Sequence, residues 1–267
     1  MSGRIRLACC SEQGARTYNE DTLAHGAARY GHYAVLADGA GGHRRGGEAS
    51  LRAVACLERL LRDDTVAFSP ANLTQIVRLA HSELLHHQGS DSPEARMHST
   101  VVALWISDDE RHALWTHVGD SRLYRLRRGR VDIVTTDDSV VQQMLLAGLI
   151  SAEQVRSHPQ KNQLLAALGM EGDIEPHTVA RPVELQDGDA FLLCSDGWWE
   201  GFSDDDLAAS LERALAPQDW LADMRSQIAA RAKPRQDNYS AIAVWVGDPG
   251  EIPLYGDEDT RPRLPST

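Results

Sequence analysis

From Ser99 to Val134 the chain carries three strand-like runs in close succession, STVVALWIS, RHALWTHVGD and SRLYRLRRGRVDIV. The third folds back on itself around Arg127-Arg128-Gly129, a sequence suited to a hairpin turn. Strands joined by hairpins, rather than by single helices, point to antiparallel sheets with helices set apart in pairs. The rest of the chain fits that plan. A strand at HYAVLAD (32–38) leads into two helical stretches, GGEASLRAVACLERLLRDD and ANLTQIVRLAHSELLHHQ. In the first, Ala49, Ala53, Leu57, Leu60 and Leu61 share one face, the 3.6-residue signature of one-sided burial. Residues 139–170 read as helical and then irregular. A strand pair is expected within HTVARPVELQDGDAFLLCSDG, helices at about 203–214 and 217–231, and a last strand at YSAIAVWVG. One domain over 1–247 is expected. The tail from Asp248 has little to bury and is expected to be disordered.

Composition narrows the function. The 267 residues carry a formal net charge of −12, which argues against binding a nucleic-acid backbone. An acidic site that takes up cations fits better. No Cys-x-x-Cys pair links Cys9, Cys10, Cys56 and Cys194, and none sits in a nucleophile motif. No run reaches the length of a membrane span and no signal peptide is visible, so a cytoplasmic monomer is expected.

Acids recur where apolar strands meet loops. Asp38 ends AVLAD, Asp120 ends ALWTHVGD, Asp196 ends AFLLCSD, and Asp237 precedes the last strand; Glu20 and Asp21 form a further pair. One such residue is ordinary turn chemistry. Several at strand rims suggest a shared site, where packed carboxylates would repel unless cations intervened. An all-oxygen donor set without His or Cys suits Mg²⁺ or Mn²⁺ rather than zinc.

The ordered motifs RTYNED (16–21), DGAGGHRRGGEAS (38–50), HST (98–100), GDSRLY (119–124), CSDGWWE (194–200) and DN (237–238) resemble those of the metal-dependent protein phosphatases of the protein phosphatase 2C type, bacterial branch. The resemblance implies an α+β fold, a four-layer α-β-β-α sandwich with two central antiparallel sheets flanked by helix pairs. It also implies a binuclear Mn²⁺/Mg²⁺ centre that activates water for attack on phosphoserine and phosphothreonine in proteins, opposing a Ser/Thr kinase. By position, Asp38 would bridge both ions and the Gly39 carbonyl would bind one. Asp196 and Asp237 would hold the first ion, and Asp21, helped by Glu20, the second. Asp120 would hold a third, weaker ion. Asn238 would support the set, and Arg16 would grip the substrate phosphate.

The chain departs from the family in two places. Ala40 stands where eukaryotic relatives carry a histidine proposed as general acid, leaving His43 as a candidate beside the site. Asp138 replaces the histidine of the family's Asp-His-Ser ahead of a flap at about 139–170, adding negative charge near an anionic substrate. Trp198 and Trp199 suit either a covered core or a docking surface. Two rivals to a protein phosphatase stand: a metal-dependent hydrolase of small phosphoesters, and a catalytically weak module that binds phosphoproteins.

Overall fold

The computed structural model describes residues 4–40, 45–88, 96–231 and 234–250. In chain order the strands are β1 (Ile5–Glu12), β2 (Asp21–Ala28), β3 (Gly31–Ala40), β4 (His98–Ser99), β5 (Val101–Ile106), β6 (His112–Val118), β7 (Arg122–Arg127), β8 (Arg130–Val134), β9 (Val183–Glu184), β10 (Asp189–Cys194) and β11 (Tyr239–Val246). The helices are α1 (Arg45–Leu61), α2 (Pro70–His86), α3 (Val140–Leu146), α4 (Ala152–Val155), α5 (Asp196–Trp199), α6 (Asp204–Arg213) and α7 (Pro217–Ala230).

The strands form two antiparallel sheets. One runs β1-β11-β10-β7-β8; the other runs β2-β3-β5-β6-β9, with β4 added to the far end of β3. Period-two alternation explains how they stack. Ala34 and Leu36 of β3 meet Phe191 and Leu193 of β10 and Ile242 and Val244 of β11 in a core between the sheets. The intervening Tyr33, Val35 and Ala37 face α1 and α2, while Leu192, Cys194, Ala243 and Trp245 face α6 and α7. Burial on both faces is why these strands read as unbroken apolar runs. The result is the expected four-layer α-β-β-α sandwich.

The β7–β8 hairpin turns where expected. Arg128 and Gly129 have φ of 54° and 71°, the left-handed pair that matches the twist of flanking strands. Ser69 caps α2, its side chain accepting from Asn72 N, and Ser203 caps α6 by accepting from Asp206 N.

Two expectations change. The strand pair expected across 177–197 is not a hairpin, because β9 pairs with β6 in one sheet and β10 with β7 and β11 in the other. The expected strands also lacked β1 and β2. Both lie at sheet edges and are only partly buried along most of their length, so their alternation is weak.

Candidate metal centre

The sandwich gathers the predicted acids at one rim. Asp21 opens β2 and lies in register opposite Asp38 near the end of β3. Asp120 sits where the chain leaves β6 in one sheet for β7 in the other. Asp196, two residues past the end of β10, is the first residue of α5, and Asp237 lies two residues before the start of β11. Ser195 N bonds to Ser240 O at 3.1 Å and ties the last two strand ends together.

The backbone of Asp38 is fully engaged. Its N–H donates to Thr100 Oγ1 (3.0 Å), and its carbonyl accepts from Thr100 N (2.8 Å) and Ser99 Oγ (3.1 Å). The carboxylate therefore has no part in closing the turn and faces other acids. Its low-dielectric surroundings, reinforced by Asp21, Asp196, Asp120 and Asp237, hold its pKa well above the usual carboxylate range. Burial and the charges of Asp120 and Asp237 do the same to Asp196. Burial raises Asp21 to about 6, against hydrogen bonds from Ser240 and Ser195. Asp120 rises to about 7 through burial and Asp137, with Arg122 opposing.

Asp21 gives the most direct sign of what this cluster wants. Its Oδ2 accepts from Ser195 Oγ at 2.9 Å, but its Oδ1 is buried with no hydrogen-bond partner among the described residues. A buried carboxylate oxygen left unpaired is costly, and a hard divalent cation would satisfy it. The donor set is all oxygen, so the residues present fit Mn²⁺ or Mg²⁺.

Glu20 adjoins Asp21, and burial raises its pKa, with Asp237 adding to the rise and the backbone of Gly47 and the charge of Arg16 opposing it. Asn238 braces the opposite side: its Oδ1 accepts from Glu20 N (2.9 Å), and its Nδ2 donates to Gln13 O (2.7 Å) and Tyr18 O (2.9 Å). Arg16 Nη2 donates to Asp237 Oδ2 at 2.5 Å, with the arginine side chain 52% exposed. His43 lies outside the described residues.

Close backbone approach builds this rim. A Cβ on Gly39 would lie 2.0 Å from the carbonyl oxygen of Gly46, and one on Gly197 would lie 2.0 Å from that of Asn238. Gly39→Ala is expected to destabilise the fold by about 1–3 kcal/mol, the usual cost of overpacking. A denaturation midpoint equal to wild type would show that the β3–α1 contact is looser than these distances.

Several supporting residues have no role in the sequence reading. Arg122 donates through Nε and Nη2 to both oxygens of Asp137 at 2.8 Å and stacks 3.5 Å from the Trp199 ring centroid. Trp199 Nε1 in turn donates to Asp120 O at 2.9 Å. Arg122 and Trp199 fall within quoted motifs, but their partners are remote in sequence. Trp198 and Trp199 are 0% and 6% exposed, so they cover the core and offer no docking surface. Asp138 is also engaged, accepting from Gly119 N (3.0 Å) and bonded to His177 Nε2 (2.8 Å). Cys56 and Cys194 are buried and their thiols are pushed up by burial, so neither is a ready nucleophile.

The sequence profile described as Protein phosphatase 2C matches residues 11–232. The serine/threonine protein phosphatase PstP of Mycobacterium tuberculosis is 34% identical over 209 residues, which are 78% of this chain and 39% of that protein. The chain thus spans well under half the length of that relative. Protein phosphatase PhpP of Streptococcus pneumoniae is 35% identical over 186 residues, 68% of this chain and 74% of that one. The crystal structure of the PstP catalytic domain in complex with two manganese ions superposes with a TM-score of 0.78 at 29% identity, covering 91% of this chain and 99% of that one.

Proposed function

The chain belongs to the protein phosphatase 2C family, and from that premise we propose that it hydrolyses phosphoserine and phosphothreonine in proteins, with residues 1–247 acting as one catalytic domain. The observation that carries the reading is Asp38, whose strongest charged neighbours are all acids drawn from both sheets. When bound, two Mn²⁺ or Mg²⁺ ions would supply an activated water and neutralise charge developing on the phosphoryl group.

The residues divide that work by position. Asp38, at the centre of the acids, and the Gly39 carbonyl oxygen would hold the ions. Asp196 and Asp237 would help to hold one ion, and Asp21, through Oδ1, the other. Asp120, held through its carbonyl by Trp199, would serve a third, weaker ion. Glu20 and Asn238 hold the loops that carry these groups. Residues 139–170 act as a flap. They leave beside Asp138 and return at Leu165, whose N–H donates to the Asp138 carbonyl (2.8 Å), and Arg156 Nη2 reaches the Phe202 carbonyl (2.6 Å). The charge of Asp138 is taken up by Gly119 N and His177, so it does not stand free to repel a substrate.

Arg16 is the phosphate clamp. Its guanidinium presents further N–H donors beside the Asp237 pair, and a fork of this kind suits phosphate oxygens. Arg16→Ala is expected to lower kcat/KM on a phosphothreonine peptide by about 10- to 100-fold, the worth of one charged hydrogen bond. Mn²⁺ affinity should stay within a few-fold of wild type. Unchanged kcat/KM would remove Arg16 from this role.

Substrates are phosphoproteins made by a Ser/Thr kinase, met by a cytoplasmic monomer. No helix among the described residues is long and apolar enough to cross a membrane, and the net charge of −12 disfavours nucleic acid. The deciding assay compares phosphothreonine and phosphotyrosine peptides with Mn²⁺, Mg²⁺, Ca²⁺ or EDTA. Mn²⁺-dependent preference for phosphothreonine supports the reading. Activity confined to small esters, or binding without turnover, overturns it.

A further inference from the structure

Beside the β6–β7 junction that carries Asp120, the fold brings together three residues whose sequence positions give no hint of contact. His117 is the penultimate residue of β6, Asp138 precedes α3, and His177 lies ahead of β9. One ligand atom from each of the three lies within 4.8 Å of the others. The backbone holds them there: His177 N donates to His117 O at 3.0 Å, and Asp138 N donates to Gly119 O at 2.9 Å. The imidazoles stack with centroids 4.8 Å apart, and His177 Nε2 is 2.8 Å from Asp138 Oδ1.

The hydrogen bonds of His117 set its chemistry. Its Nε2 is 2.8 Å from the Thr136 carbonyl oxygen, a pure acceptor, so Nε2 carries the ring proton and Nδ1 the lone pair. That Nδ1 is buried and has no hydrogen-bond partner among the described residues, in a residue only 5% exposed. An unpaired buried nitrogen is a cost that ordinary packing would avoid. A histidine whose other ring nitrogen donates to a backbone carbonyl is oriented as metal-binding histidines are. Asp138 is held likewise, its Oδ2 accepting from Gly119 N at 3.0 Å while Oδ1 stays with the histidine.

We propose that His117, Asp138 and His177 form a second metal site, separate from the acidic centre, that takes a borderline divalent ion, zinc first. Two imidazoles and one carboxylate are a donor set for zinc or another late transition metal, whereas Mg²⁺ and Mn²⁺ prefer oxygen alone. The ion takes the place of the proton shared by His177 Nε2 and Asp138 Oδ1, which leaves to solvent or moves to His177 Nδ1. His177 is 53% exposed, so the open side leaves room for a water as fourth ligand. The bound ion joins β6, the base of the 139–170 segment and the approach to β9.

The test uses the full chain with saturating Mg²⁺, so that a hard ion fills the acidic centre, and adds one equivalent of Co²⁺ as a spectroscopic stand-in for zinc. Wild type is expected to develop the intense visible absorption of a low-coordinate site, with nitrogen ligands seen by X-ray absorption. Zn²⁺ should displace the Co²⁺. His177→Ala, at a side chain 53% exposed, should weaken binding at least tenfold and diminish the nitrogen signature. Asp38→Asn, which disables only the acidic centre, should keep both. Equal Co²⁺ affinity and spectra in wild type and His177→Ala would overturn the site, as would loss of the signal in Asp38→Asn alone.

Discussion

Asp38→Asn is expected to lower turnover of a phosphothreonine peptide by about three orders of magnitude, which corresponds to about 4 kcal/mol of barrier. Asparagine is nearly the same size as aspartate and accepts the same turn geometry. The backbone bonds to Thr100 and Ser99 do not involve the side chain, so the fold should survive. What changes is one full negative charge. In the proposed centre Asp21, Asp38, Asp196 and Asp237 balance two divalent ions, and removing the bridging charge weakens both. Thermal melting should report the same event. Wild type gains about 2.7 kcal/mol when Mn²⁺ stands a hundredfold above its dissociation constant, and Asp38→Asn much less. Without metal the order should level or reverse, because the variant lacks one of the mutually repelling carboxylates. A variant that keeps both turnover and the Mn²⁺ shift would exclude the Asp38 carboxylate from the metal centre.

The second large effect is on the pH dependence of stability, and its sign depends on metal. Asp21 and Asp120 have folded pKa values of about 6 and about 7, above the unfolded value of about 3.9, and Asp38 and Asp196 are raised as well. Below pH about 4 these carboxyls are protonated in both states and cost nothing. As pH rises, the unfolded chain ionises first and the folded chain resists. The metal-free protein should therefore lose stability between pH about 4 and about 7. With saturating Mn²⁺ the carboxylates are held in their charged form, so the loss should vanish and the melting temperature stay level or rise with pH. Melting curves at pH 5 and pH 8, with EDTA and with Mn²⁺, decide it. Parallel pH profiles in the two conditions would mean that the acids do not meet at a cation.

Much of this architecture is legible in the amino-acid sequence because the central strands are buried on both faces. β3, β5, β10 and β11 cannot avoid reading as apolar runs, and an acid at the end of such a run stands out. β1 and β2 lack that contrast because each has only one strand neighbour and a half-exposed pattern. β9 is too short to show periodicity, and its partner β6 lies some seventy residues earlier. The same limit hides the Arg122–Asp137–Trp199 support and the pairing of His117 with His177. Local pattern reports which face a residue turns to the core; it does not report which distant loop waits there.

The pairing of β1 with β11 has a consequence for how the protein is made. Ile5 sits opposite Val246 and Glu12 opposite Tyr239, so the strand synthesised first must wait for nearly the whole chain before it finds its partner. Asp237 and Asn238, which brace the rim, arrive with that last strand. A ribosome-bound chain lacking β11 therefore has neither a closed five-stranded sheet nor a finished centre. Contacts of such long sequence separation slow folding, and a cation that needs both sheets in place enters after the main barrier. The ion should then lengthen the lifetime of the finished protein while leaving the rate at which it first folds almost untouched.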